Sequence, residues 1–301
     1  MSRPALNPNR LDVVVRFHDP ERAFELKRSI LSLVCQSYRP LGIHLVTQRF
    51  AHDQVLGVTE TIRPLLSIDS AVEFKLWNYT QPQPEDARSA LLNTGIENSK
   101  GRYLAFLDHD DAIYPDAYMQ LISELDQSES AVSFGTIVLK EIDVFHDTLM
   151  VMQRRLGFSG RNLVDFFNMN FCPLHSFVLD RSRIERSDLW MDPRLSKHED
   201  YDFLLRICAK YKASFGRIDT EVGDYYLKND GSNTISVASN ESRDRFIDWQ
   251  IAEELIEKRR RSVVLSPEIQ HTLGFSPANP NMTIRDAISY FENHPEPVRQ
   301  S

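Results

Sequence analysis

Residues 101–116 read GRYLAFLDHDDAIYPD. The run 102–107 (RYLAFL) has the length and apolar content of a buried strand, and Tyr114-Pro115-Asp116 opens a helix expected over 116–125. Between them, Asp108, Asp110 and Asp111 crowd three carboxylates into four positions. Such a cluster repels itself unless a cation neutralises it. A hard divalent ion with oxygen ligands, Mn2+ or Mg2+, does so and can also hold a diphosphate. The competing reading is a solvated acidic turn in which an aspartate caps the next helix. The place of the cluster, just past an apolar strand, favours the ligand reading.

Upstream, strands alternate with helices. Strands are expected at 11–17 (LDVVVRF), 43–46 and 72–77. A helix follows the first of them, where Leu26, Ile30, Leu33 and Val34 recur at helical spacing, and others are expected over 52–66 and 85–99. This is the pattern of an α/β fold with a mostly parallel twisted sheet flanked by helices. Such sheets bind ligands at the carboxyl ends of their strands. Two polar groups fall there: Arg16-Phe17-His18-Asp19, and the aspartate cluster. Downstream, strands are expected at 132–139, 176–179, 213–218 and 221–227, with a helix on which Tyr201, Leu204, Leu205, Cys208 and Tyr211 share a face.

From about 241 the character changes, giving a division into 1–240 and a helical C-terminal extension, 241–301. Phe246, Trp249, Ala252, Leu255 and Ile256 mark an amphipathic helix that runs into Lys258-Arg259-Arg260-Arg261. A linker (Ser276-Pro277-Ala278-Asn279-Pro280) and a short helix over 283–291 follow. The extension is expected to be an accessory outside the site. Its helix either packs on the main domain, or docks its basic end on anionic lipid, or forms a homodimer through the same face.

Composition narrows the function classes. The 301 residues carry a formal charge of −8, which argues against a nucleic-acid partner. Cys35, Cys172 and Cys208 are scattered, with no CxxC spacing, which reads as reduced thiols in a cytoplasmic protein. Neither a signal-peptide core nor an apolar run long enough to span a membrane is present. No GxxxxGK[ST] occurs, and the loop after the first strand has no glycine, which speaks against a P-loop NTPase and a nucleotidyltransferase.

Several segments together resemble the family 2 glycosyltransferases. GRYLAFLDHDDAIYPD is similar to their aspartate motif, and LDVVVRFHD to their first strand and nucleotide loop. SILSLVCQSYRPLGIHLV, ALLNTGIENSKGRY, LSKHEDYDFLLRI and DYYLKNDGSNTIS follow in the family's order, so the resemblance covers roughly residues 10–236. It implies a GT-A fold and inverting transfer from a nucleotide-sugar to a glycan or lipid-linked acceptor hydroxyl, in surface polysaccharide synthesis, with UDP as the default nucleotide.

Residue by residue, the resemblance implies the following. Asp200 matches the catalytic base. Asp108 and Asp110 match the D-x-D that binds the donor, with Asp110 and Asp111 as candidate metal ligands; which aspartate does which is left open. His18 matches a residue stacking on the nucleobase, and Gln48 stands where base-recognising aspartates are usual. Arg88 is placed to meet the diphosphate, as are Lys228 and Ser232 of the closing loop. His175, Trp190 and Glu199 fall in the segments that line the acceptor pocket. Each of these also has an ordinary structural reading; Glu199, Asp200 and Asp202, for instance, suit a helix N-terminus electrostatically. The altered first loop and the Thr47-Gln48 pair keep one alternative in play, a non-catalytic nucleotide-sugar or glycan-binding module of a larger assembly.

Overall fold

Successive side chains of a strand point to opposite faces, and in the central strands both faces are covered. The computed structural model describes residues 6–145, 148–228 and 243–294, the side chains of 243–246 excepted. In β1 (Asn7–Phe17), Val13 and Val15 enter one apolar cluster and Val14 the other. β4 (Gly101–Asp108) divides likewise, Ala105 and Leu107 to the first and Leu104 and Phe106 to the second. Strands buried on both sides need no polar alternation, so 11–17 and 102–107 read as largely apolar runs, interrupted by Asp12, Arg16 and Arg102.

The first cluster is closed by α1 (Ala23–Val34), α2 (His52–Leu66) and α4 (Ala117–Ser128). The second is closed by α3 (Arg88–Asn98), α5 (Leu163–Asn168) and α6 (Glu199–Cys208). The sheet runs β3 (Val72–Tyr79), β2 (Leu41–Gln48), β1, β4, β8 (Phe177–Asp180), β6 (Val132–Phe145), β9 (Ala213–Lys228), β5 (Ala112–Ile113), with β7 (Thr148–Leu156) paired to β6. Pairing is parallel from β3 to β4 and between β6 and β9; β8, β5 and β7 pair antiparallel.

The structure corrects the expected elements in a few places. The two strands expected at 213–218 and 221–227 are one strand, β9, which stays on β6 through register shifts around Gly135 and Thr136. The first strand begins at Asn7 and the fifth expected strand runs on to Phe145. β5, β7, α5 and a six-residue α8 (Pro267–Thr272) were not expected. β7 is exposed on both faces, and its Met150-Val151-Met152 run carries no period-two signal.

The C-terminal helices join the second cluster. Ala252 and Ile256 of α7 (Arg243–Ser262), Ile269 of α8, and Ile284 and Ile288 of α9 (Ile284–Asn293) are buried. The basic run does not form one exposed patch. Arg259 pairs with the buried Asp192 (2.8 Å) and Asp202 (2.5 Å), and Arg260 donates to the carbonyls of Phe167 (2.9 Å) and Asn168 (2.6 Å). Arg261 pairs with Glu257 on its own helix. No described helix is long and apolar enough to cross a membrane.

Two residues of α3 place the site. The Asn93 side chain donates to the carbonyl of Met191 (2.9 Å) and accepts from its N–H (2.8 Å), which holds the segment leading into α6. Gly95 lets α3 lie directly on β1: a Cβ there would meet Val14 Cγ1 at 2.2 Å. Gly-to-Ala inside a helix ordinarily gains about 1 kcal/mol. Here Val14 is stiff at χ1 and fully buried, so overpacking wins. Gly95→Ala is expected to lower stability by about 1–3 kcal/mol in urea denaturation; a stabilised variant would show that the contact has room.

Candidate active site

The parallel register sets the last residue of β4 against β1: Asp108 lies beside Arg16. The Arg16 guanidinium grips both oxygens of Asp108, with Nη2–Oδ2 at 2.9 Å, and Nη1 reaches Glu199 at the start of α6. Burial alone would raise the Asp108 pKa; the charge and hydrogen bonds of Arg16 outweigh it and hold it at about 2. Arg16 is itself pushed well above its ordinary value, burial being overcome by Asp108 and Glu199. The sequence placed Arg16 in the polar group at the end of strand one and marked it as a departure in the first loop, without giving it a role. Its position at the end of strand one, next to strand four in a sheet of this kind, was the available signal.

The other two aspartates turn elsewhere. Asp110 faces α1, where it meets Lys228 Nζ (3.0 Å) and Arg22 Nη2 (3.1 Å). Lys228 is buried at the end of β9 and also pairs with Glu25 (2.8 Å). Asp111 is buried against β9, accepting the Tyr226 N–H at 3.1 Å. Its pKa is raised well above the ordinary value by burial and by the charges of Asp110 and Asp108.

Two histidines lie beside these carboxylates, His109 with Glu25 (3.8 Å) and His175 with Asp111 (3.5 Å). Burial pushes each of them down to about 4, so both are neutral at pH 7. Both Nε2 atoms are buried without a hydrogen-bond partner among the described residues. Glu25, His109 and Asp110 bring one donor atom each within 4.8 Å of one another. Neutral imidazoles and carboxylates, with orphaned buried nitrogens among them, suit a divalent cation. Of the two expected metal ligands this group includes Asp110 and not Asp111, and Lys228 and Arg22 already pair with its carboxylates, so a cation held there would compete with them.

A cavity of about 170 Å³ opens over this edge. Of the sequence-derived residues it gathers Arg88, Asp108, Asp111, His175, Glu199 and Asp200. Asp200 is half-buried, accepts the Tyr201 N–H at 2.7 Å, and makes no ion pair among the described residues. Burial, followed by the charge of Glu199, raises its pKa to about 7. Its neighbours are spoken for: Glu199 by Arg16, and Asp202 by Arg206 and Arg259.

The remaining candidates stand outside the lining. His18 is exposed at the end of β1, edge-on to His109 at 5.4 Å. Gln48 ends β2 and donates to the Glu85 carbonyl (3.0 Å). Asp110 and Lys228 sit behind the cavity, toward α1. Trp190 is a surface residue with Arg206 near its ring (5.9 Å). Ser232 lies outside the described residues. Sequence reading missed Lys197, His198, Tyr225 and Trp249 as lining residues. Trp249 comes from the C-terminal extension, which was expected to stay out of the site.

Comparisons with known proteins bear on the family likeness and the fold. Residues 79–187 match the model of the family "Glycosyl transferase family 2", which takes in the aspartate cluster and stops short of Asp200. An uncharacterized glycosyltransferase of Haemophilus influenzae is 24% identical over 189 residues, covering 63% of this chain and 68% of that protein. The amylovoran biosynthesis glycosyltransferase AmsB of Erwinia amylovora is 23% identical over 211 residues, covering 68% and 67%. The structure of S. aureus TarS 1–349 in complex with UDP-GlcNAc is 15% identical and superimposes with a TM-score of 0.57, covering 87% of this chain and 70% of that one. Against another S. aureus TarS structure (14% identical, TM-score 0.56) the chain again aligns over 87% of its own length but spans only 42% of the other. The fold is thus the expected GT-A type.

Arg16→Met would leave Asp108 and Glu199 without their shared cation, a loss that costs about 3–5 kcal/mol for a buried pair. Because Asp108 sits below its ordinary 3.8 when folded, its pairing stabilises the protein above that value and is lost as pH falls towards about 2. Urea denaturation of Arg16→Met should show the full loss at pH 7 and a smaller gap to the parent near pH 3. A gap independent of pH would mean that the bridge is not what stabilises this edge.

Proposed function

We propose that this chain, similar to family 2 glycosyltransferases, moves a sugar from a nucleotide-sugar to a hydroxyl of a glycan or lipid-linked acceptor with inversion. Assembly of a surface polysaccharide is the setting suggested by one relative's name, and UDP-GlcNAc, bound by the structural neighbour, is the first donor to try. The observation that carries the reading is Asp200: a carboxylate lining the cavity that makes no ion pair among the described residues, with its pKa raised to about 7.

Asp200 accepts the proton of the acceptor hydroxyl as the new C–O bond forms. The bond from the anomeric carbon to the diphosphate oxygen breaks, and its electron pair leaves with the diphosphate. A base with a pKa near the working pH combines availability with driving force. Arg16 holds Glu199 and so fixes the first turn of α6, on which Asp200 stands. Arg88, which lines the cavity, would meet the diphosphate; Lys228, paired with Asp110 and Glu25, would bring a further cation to that edge. His18 and Gln48, at the ends of the first two strands, offer a ring and an amide to the nucleobase. Asp110, together with Glu25 and His109, would hold the divalent cation, Mn2+ or Mg2+, which would neutralise diphosphate charge when bound.

One observation favours the alternative of a non-catalytic binding module: Arg16 takes both oxygens of Asp108. Incubation with a panel of nucleotide-sugars, Mn2+ and water separates the two readings. Slow release of one nucleoside diphosphate is expected; no release from any donor would favour the module. Calorimetric titration of UDP should give tighter binding with Mn2+ than with EDTA, and equal affinities would remove the metal. Asp200→Asn should leave UDP binding intact and lower transfer by about 10²–10⁴-fold. With Asp200 as base, kcat/KM should rise with pH through about 7, and a flat profile across that range would point to a different base.

A further inference from the structure

Trp249 lines the same cavity as Asp200, although it lies forty-nine positions away in sequence and belongs to α7. Its ring stands edge-on to His198 at a centroid distance of 4.9 Å, with Lys197 Nζ 5.8 Å from its centroid. These residues immediately precede Glu199 and Asp200 in the chain. The indole is therefore on the α6 side of the cavity, next to the carboxylate that must meet the acceptor, and away from the α1 side where Asp110 and Lys228 lie.

Trp249 is not a core residue that happens to touch the opening. It shares a helix face with Ala252 and Ile256, three and seven positions on, and those two are buried at 2% and 4% exposure. They carry the packing of α7, while Trp249 is only half-buried, where the same face overhangs the cavity. The helix that presents the ring is anchored. Arg259 and Arg260 tie α7 to Asp192, Asp202 and the α5 carbonyls, so the indole has a fixed place above α6.

We propose that Trp249 is the platform on which a sugar ring of the acceptor stacks, which makes the C-terminal helix part of the acceptor site. A pyranose presents an apolar C–H face and a hydroxyl rim. A flat indole removes the face from water while leaving the rim free to reach Asp200. The ligand class is a saccharide, free or carried on a lipid. The inference rests on the transferase reading above, because it takes Asp200 to mark the acceptor side.

The test uses the full chain saturated with UDP and Mn2+, and reads intrinsic tryptophan fluorescence. The probes are the methyl β-glycosides of glucose, galactose and N-acetylglucosamine at millimolar concentrations. At least one should change the emission of the parent protein and shield it from acrylamide quenching. Trp249→Phe should abolish the emission change, and its affinity for the same glycoside, read by calorimetry, should be about three- to tenfold weaker. Affinity for UDP should be unchanged, and Trp190→Phe should respond like the parent.

A Trp249→Phe protein that gave the parental glycoside response, or lost UDP and glycoside affinity in parallel, would overturn the platform. So would a parent that binds UDP and is neither perturbed nor protected by any of the glycosides. If Trp249→Phe failed to fold, acrylamide protection in the parent, compared with Trp190→Phe, would still decide. A parent that bound no nucleoside diphosphate at all would overturn the donor reading, and this inference with it.

Discussion

A carboxylate taken out of water must be paired, hydrogen-bonded or protonated. At the carboxyl edge of this sheet the three aspartates after β4 are each settled differently. Asp108 is held as an anion by Arg16, Asp110 is ion-paired with Lys228 and Arg22, and Asp111 is pushed toward its neutral form beside His175. Each solution ties β4 to another element. Arg16 brings in β1 and, through Glu199, the first turn of α6. Lys228 and Arg22 bring in β9 and the start of α1, and the Tyr226 N–H fixes Asp111 to β9. The repulsion that makes the cluster conspicuous in the sequence is therefore also what gathers the walls of the cavity.

That gathering separates the roles of the acids. Asp108 sits at about 2 and Asp200 at about 7, and both line the cavity. Two carboxylates whose surroundings push their pKa values apart are suited to different tasks, one fixed as an anion and one able to exchange a proton near neutrality. Among the acids of the first turn of α6, Glu199 and Asp202 are both engaged by arginines, whereas Asp200 makes no ion pair among the described residues.

Much of the fold was legible because burial on both faces writes itself as apolar runs, and helices on either side as 3.6-residue spacing. The helix expected over 52–66 coincides with α2, and the four parallel strands differ from expectation mainly at their ends. The misses have physical causes. β7 buries neither face, so no pattern marks it; β5 and α8 are too short to show a period. β9 crosses β6 with several register shifts, and Asp219-Thr220 in its middle reads as a turn when taken alone. At the site, the aspartate cluster stood out because acids follow an apolar strand, whereas Asp200 was singled out by the family resemblance, since acids that open a helix have an ordinary electrostatic reading. Arg16 became meaningful only once the strand order set it against Asp108.

Trp249 could not be read from the sequence at all, because its place depends on how α7 returns to the domain. The basic run that ends this helix drew attention as a surface feature. Two of its four members instead point inward: Arg259 satisfies two buried aspartates, and Arg260 caps the end of α5 through the Phe167 and Asn168 carbonyls. Buried acids such as Asp192 and Asp202 would be costly without such partners. The same arginines that settle this internal charge therefore anchor the C-terminal end of α7, about three turns beyond the indole. On this argument the extension cannot be treated as a detachable appendage to the site: removing its anchors would change both the charge balance beneath α6 and the wall that faces Asp200.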